Sequence, residues 1–71
     1  MRYMVVIEKG QSGYGAHVPD LPGCIAAGKT REKVLQFIRQ AIEFHIEGLK
    51  GAGERVPPPS SVSEFVEVQA A

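Results

Sequence analysis

The stretch TREKVLQFIRQAIEFHIEGLK, residues 30–50, decides how the rest of this 71-residue chain is arranged. Thr30 suits an N-cap, since its hydroxyl can accept from the unpaired N–H groups of a helix's first turn. Glu32 sets negative charge at the positive end of the helix dipole. No proline interrupts the run, and its single glycine, Gly48, lies close to the end. Gly51 and Gly53 then stop it, because glycine accepts the left-handed conformation that closes helices. The pattern predicts one long helix from Thr30 to Lys50.

At a helical turn of about 100° per residue, the apolar side chains fall on a wide arc. Leu35, Ile38, Ile42, Ile46 and Leu49 form its centre, with Val34 and Ala41 beside them. Phe37 and Phe44, seven positions apart, extend one flank, and His45 lies within the arc. Gln36, Arg39, Gln40, Glu43, Glu47 and Lys50 gather on the opposite side. Packing on one small sheet needs an apolar face only slightly wider than about 100°. This arc is nearer half the circumference, so one part is expected to cover a sheet and another to meet a second chain. Phe37, Phe44 and His45 are the candidate interface residues, aromatics being a type that dominates binding energy.

Upstream, Arg2–Glu8 is rich in β-branched and aromatic residues and reads as an interior strand. Lys9–Gly13 is a polar, glycine-bearing connection of hairpin length. Tyr14–Val18 is a second strand, with Tyr14, Ala16 and Val18 on one face and Gly15 and His17 on the other. Pro19, Asp20, Pro22 and Gly23 mark a turn: Pro22 presets φ for the first central position of a type II turn, and Gly23 supplies the positive φ of the second. Cys24–Gly28 is a third strand, whose small residues Ala26, Ala27 and Gly28 let the helix come close.

Downstream, Gly51–Arg55 is a flexible exit. Val56–Ser61 carries three prolines and must be extended, since each proline drives its predecessor out of the α region. Val62–Val68 is expected to form a fourth, edge strand, and Gln69–Ala71 a frayed end. Two destinations are open for the segment after Pro59, its own sheet or a neighbour's. The expected class is α+β with the order β-β-β-α-β: an antiparallel meander, one long helix and a C-terminal strand.

Seventy-one residues make a single domain, 1–71. A chain this short buries only about 60% of its unfolded surface and calls for a supplementary source of stability. Cys24 is alone, so no internal disulfide forms, and the chain reads as intracellular. His17 and His45 are far apart and share no metal-site spacing with other ligands. Self-association is the remaining route, and a dimer or higher homo-oligomer is expected. Eight Lys and Arg balance eight Asp and Glu, without a basic run, which argues against direct nucleic-acid binding. No apolar run approaches the roughly 20 residues of a membrane span, and no signal peptide is expected, so the chain is expected to be cytoplasmic and to make no membrane contact.

Catalytic constellations are not evident. Asp20 as a catalytic carboxylate would need convergent partners, and Glu8 is the one other strand-borne acid near enough to consider; stabilising its own turn is the simpler role. His17 reads as a half-exposed strand residue without a nucleophile beside it. Cys24 reads as a small buried hydrophobe. Gly10, Gly13 and Gly15 lack the Gly-Lys-Ser/Thr and following helix of a phosphate loop and are hairpin glycines. No cofactor or metal is expected.

The segment Tyr14-Gly15-Ala16-His17-Val18-Pro19-Asp20-Leu21-Pro22-Gly23-Cys24 resembles the second strand and turn of the HicB-like antitoxins. The likeness continues in Ala27-Gly28-Lys29-Thr30-Arg31-Glu32-Lys33, where that family steps through Gly-x-Thr into its helix, and resumes at Val56-Pro57-Pro58-Pro59-Ser60. The three pieces come in family order and span Tyr3 to Val68. The resemblance implies a partial ribonuclease-H-like fold. It also implies a non-catalytic antitoxin that sequesters and inhibits a small HicA-type toxin, a ribonuclease that cleaves mRNA through a histidine. Many such antitoxins add a C-terminal DNA-binding domain that binds the operon's promoter. This chain ends at Ala71, so promoter binding is not carried over and a member reduced to the toxin-binding part is expected. The alternative is a stand-alone homo-oligomeric structural or ligand-binding domain of the same fold, with no toxin partner. A nuclease on this scaffold has the least support, since fold alone does not establish activity.

Overall fold

Three short runs of β-branched, aromatic and small residues pair into one antiparallel sheet in the computed structural model, which describes residues 1–70. They are β1 (Val6–Lys9), β2 (Tyr14–His17) and β3 (Ile25–Gly28), in the order β1-β2-β3. Gly10 N–H donates to the Gly13 carbonyl at 2.7 Å and closes the first hairpin. Register brings Ile7 opposite Ala16, and Ala16 opposite Ala26. With the period of two along a strand, this row faces the helix, while Val6, His17 and Ile25 line the other face.

The helix α1 (Arg31–Gly51) starts where the sequence signals it. The Thr30 hydroxyl accepts from Lys33 N–H at 3.0 Å, and the Thr30 carbonyl accepts the first helical bond, from Val34 N–H. At the other end Glu54 N–H donates to the Leu49 carbonyl at 2.8 Å and Gly53 N–H to the Lys50 carbonyl at 3.0 Å. With Gly53 at φ +72° this is a Schellman close. Of the two glycines expected to stop the helix, Gly53 takes the positive φ and Gly51 is the last helical residue.

Between β2 and β3 the chain makes two successive tight turns. Leu21 N–H donates to the Val18 carbonyl around Pro19-Asp20, and Cys24 N–H donates to the Leu21 carbonyl around Pro22-Gly23, each at 3.0 Å. Gly23 sits at φ +86°, as the second central position of a type II turn demands. This doubled turn drives Leu21 inward, where it is wholly buried with Ala16, Val18, Cys24, Val34 and Ile38. Tyr3, Val5, Ile7, Tyr14, Ala26, Ala41, Ile42 and Ile46 pack around that centre. The helix lies over β3 and β2 but does not reach β1.

Two expectations are corrected. The first strand is shorter than Arg2–Glu8, because β2 ends at His17 and the chain turns away at Pro19; Arg2–Val5 has no ladder partner. The fourth strand over Val62–Val68 is not formed: among the described residues the segment joins no sheet and stays exposed. The prolines and the anchorage of Ser60 and Ser61, described below, carry it past the start of β1 rather than alongside it. Gln69 and Ala70 belong to no element, and Ala71, the last residue of the expected frayed end, lies outside the described residues. The radius of gyration is 14.2 Å, against about 11 Å for a compact chain of this length; the terminal segment stands off the body.

The helix can approach β3 because Gly28 has no side chain. A Cβ there would sit 2.8 Å from Val34 N and 3.0 Å from Val34 Cα. Gly28→Ala is therefore expected to destabilise the fold by about 1–3 kcal/mol through overpacking against backbone. Gly15 has nothing within 4 Å of its would-be Cβ, so Gly15→Ala is expected to be neutral or stabilising by up to about 1 kcal/mol. Urea denaturation midpoints of the two variants check this ordering.

Candidate functional site

The doubled turn that sends Leu21 into the core turns Asp20 outward, toward the segment that follows the helix. The Asp20 carboxylate accepts four hydrogen bonds from residues 40 and 41 positions away. Ser60 N–H and Ser61 N–H both donate to Oδ2 at 2.9 Å. The hydroxyls of Ser61 and Ser60 donate to Oδ1 at 2.7 and 3.2 Å. The donors favour the charged form, Ser61 N–H most, then the Ser61 hydroxyl and Ser60 N–H, and they outweigh partial desolvation. The carboxyl is held at about 2, below its ordinary 3.8. A second tie lies nearby: the Tyr3 hydroxyl donates to the Pro57 carbonyl. Asp20 is thus a clasp for the segment Val56–Ser61.

The other sequence candidates lie apart from this clasp. Phe37 and Phe44 project from the outer side of α1, 39% and 78% exposed. Seven residues is close to two helical turns, so they form one stripe. His45 is half-buried beside it. Glu43 and Glu47 flank Phe44 and are exposed. Phe37 also borders an open cleft of about 730 Å³, whose other walls are the glycine hairpin with Lys9, and Lys29. Gly13 lies against β3 there, where a Cβ would meet the Gly28 carbonyl oxygen at 2.7 Å. Gly13 therefore serves close packing, whereas Gly15 has open space around it.

His17 is exposed on the uncovered face of the sheet, in register with Val6 and Ile25. Cys24 is buried, and that burial pushes its thiol pKa up, away from reactivity. Among the described residues no three His, Cys, Asp or Glu side chains converge as metal ligands, and no helix is long and apolar enough to cross a membrane.

A second cleft, about 550 Å³, runs between Arg2–Val5 and α1. Its lining includes Tyr3, Val5, Leu35, Ile42 and Ile46, with Arg2, Arg39 and Glu43 on it as well. It exists because the helix stops short of β1. Sequence reading missed this cleft, and it missed the partners of Asp20, because both depend on residues far apart along the chain.

The family model described as the HicB_like antitoxin of bacterial toxin-antitoxin systems matches residues 3–70. The chain belongs to the HicB-like antitoxin family. An uncharacterized 14.9 kDa protein from the rep-hol intergenic region of Haemophilus phage HP1 is 38% identical over 66 residues, covering 93% of this chain and 50% of that one. Antitoxin HicB 2 of Photorhabdus laumondii is 35% identical over 75 residues, covering 99% and 51%. The chain thus spans about half the length of these two curated relatives. A chain of the solved HicA3 and HicB3 toxin-antitoxin complex superposes with a TM-score of 0.68 at 32% identity, over 82% of this chain and 72% of that one. Three antiparallel strands and one helix are therefore the architecture of this HicB-like antitoxin chain.

The Asp20 clasp carries a pH prediction for this family member. A carboxyl whose folded pKa is depressed contributes stability above its unfolded value, and the contribution is lost as pH falls through the folded one. Docking of Val56–Ser61 is expected to hold at neutral pH, and to be lost below 3.8 with a midpoint at about 2. Amide chemical shifts of Ser60 and Ser61 followed by NMR through an acid titration check it. Asp20→Asn, which cannot carry the charge, is expected to leave both amides unprotected already at neutral pH.

Proposed function

We propose that this HicB-like chain is a non-catalytic binding module that sequesters and inhibits a HicA-type mRNA-cleaving toxin in the cytoplasm. The observation that carries the reading is the likeness to a chain of the HicA3 and HicB3 complex, taken with a helix whose outer side bears an unpartnered aromatic stripe. Phe37 and Phe44 are the proposed toxin contacts, with His45 supporting them. Exposed aromatics on a rigid helix lose little side-chain freedom on binding and make strong anchors. Glu43 and Glu47 beside Phe44 give the stripe an acidic rim, which suits a cationic ribonuclease and steers its approach. The module acts by occupying the toxin's surface and needs no cofactor. The partial ribonuclease-H-like plan implied by the sequence resemblance belongs to the same reading, and it requires a strand from residues 62–68.

A second reading, self-assembly without any toxin, draws on the exposed apolar segment Val62–Val68. The two readings differ in what they need. The first needs a co-encoded small ribonuclease; the second needs only this chain.

Co-expression with a HicA-type toxin encoded beside this gene tests the proposal. Stable co-purification together with restored growth is the expected result. Phe44→Ala is expected to fold normally, since that ring is largely exposed, yet to weaken toxin binding roughly 30-fold, as loss of an anchor of about 2 kcal/mol would. Failure of the unaltered chain to capture the toxin or to restore growth overturns the antitoxin reading.

A further inference from the structure

The segment after Ser61 is patterned like a strand and, among the described residues, joins no sheet. Val62, Glu64, Val66 and Val68 alternate with Ser63, Phe65 and Glu67. Val62, Phe65, Val66 and Val68 are 75–99% exposed. Among the described residues, none from 62 on makes a backbone or side-chain hydrogen bond. Such an exposed, alternating apolar segment is a template for pairing with another chain.

The same molecule carries the matching vacancy. In the sheet order β1-β2-β3 the outer edge of β1 is open, and Arg2–Val5 extends it without a ladder partner. β1, Val6–Lys9, is four residues and Val62–Val68 is seven, so the extended segment, about 23 Å long, covers the whole of that edge. Beside that edge lies the 550 Å³ cleft that α1 leaves uncovered, with Tyr3, Val5, Leu35, Ile42 and Ile46 in its walls. A strand added next to β1 would turn one of its faces into this cleft, and the valine face is the apolar one. Charge agrees as well: Arg2 and Arg39 meet the cleft, and Glu64 lies on the valine face; Glu43 is the one acid in the lining.

We propose that Val62–Val68 of one copy lies as a fourth strand along the outer edge of β1 in a second copy, and that the exchange is reciprocal. The clasp explains why the pairing is between copies. Asp20 fixes Ser60 and Ser61, Tyr3 fixes Pro57, and Pro59–Ser63 then passes beside Arg2–Met4, the leading end of β1. From that point the segment is exposed along its length. Donor and acceptor lie on the same chain, so two copies related by a two-fold axis satisfy each other and the assembly closes as a dimer. The inference does not depend on toxin binding.

Sedimentation of the full chain alone tests it. The unaltered chain is expected at twice 7.7 kDa. Val66→Pro removes a ladder N–H from an exposed position and is expected to weaken the dimer at least about tenfold without loss of helical circular dichroism. Val66→Thr, which keeps a β-branched side chain, is expected to remain dimeric. In a mixture of isotope-labelled and unlabelled chains, nuclear Overhauser contacts from Glu64–Val68 to Val6–Lys9 are expected between copies. Contacts confined to one copy, or a dimer indifferent to Val66→Pro, overturn the exchange. So does a chain that stays monomeric at tens of micromolar; if Val66→Pro then weakens toxin capture instead, the segment belongs to the toxin interface.

Discussion

The contact on which this small fold depends is the approach of the first turn of α1 to β3 at Gly28. Because that residue lacks a Cβ, Val34 comes down onto the sheet, and one helical turn later Ile38 follows. Leu21, pushed inward by the doubled turn, fills the space against them. Six residues make up the buried core, all from β2, the doubled turn that ends at Cys24, and α1. None comes from β1. The price of drawing the helix so close to one side of the sheet is that its other side, above β1, is left partly uncovered.

That asymmetry shapes what the molecule presents to partners. The helix is apolar over more of its circumference than three short strands can cover, so Phe37 and Phe44 remain outside while Ile42 and Ile46 stay half-buried along an open cleft. The two exposed features differ in kind. The aromatic stripe is carried on a rigid element with an acidic rim, a surface suited to recognising a preformed partner. The edge of β1 and the terminal segment offer unpaired backbone, which recognises another strand by its hydrogen bonds and needs little shape complementarity. The two features adjoin at Glu43, which lines the cleft beside Arg2–Val5 and also lies on the exposed side of the helix near Phe44.

The Asp20 clasp links the two. It lies in the turn that also buries Leu21, so the packing that forms the core aims the carboxylate at Ser60 and Ser61. Four donors converge on one side chain, and a charged acceptor makes each bond stronger than a neutral pair would. The clasp carries the chain from the end of the helix back across to the start of β1 and fixes where the terminal segment departs. A change at Asp20 would alter the direction of that segment without touching the helix surface.

Much of this was legible in the residues themselves. Thr30 and Gly53 bound the helix, Pro22-Gly23 shapes its turn, and the alternation from Tyr14 to Val18 assigns the faces of β2, because each of these depends on chemistry within a few positions. The family likeness was legible too, carried by the Pro-Asp-Leu-Pro-Gly turn and the step through Gly28 and Thr30 into the helix. The sequence by itself determined the element order through α1 and an excess of apolar helix surface. Only the tertiary structure decided what that excess surrounds and where Asp20 points. It also decided that Val62–Val68 finds no place in its own sheet. The reason is distance along the chain: the partners of Asp20 lie 40 and 41 residues away, and the position of a strand depends on which edge is open and within reach, which no local propensity encodes.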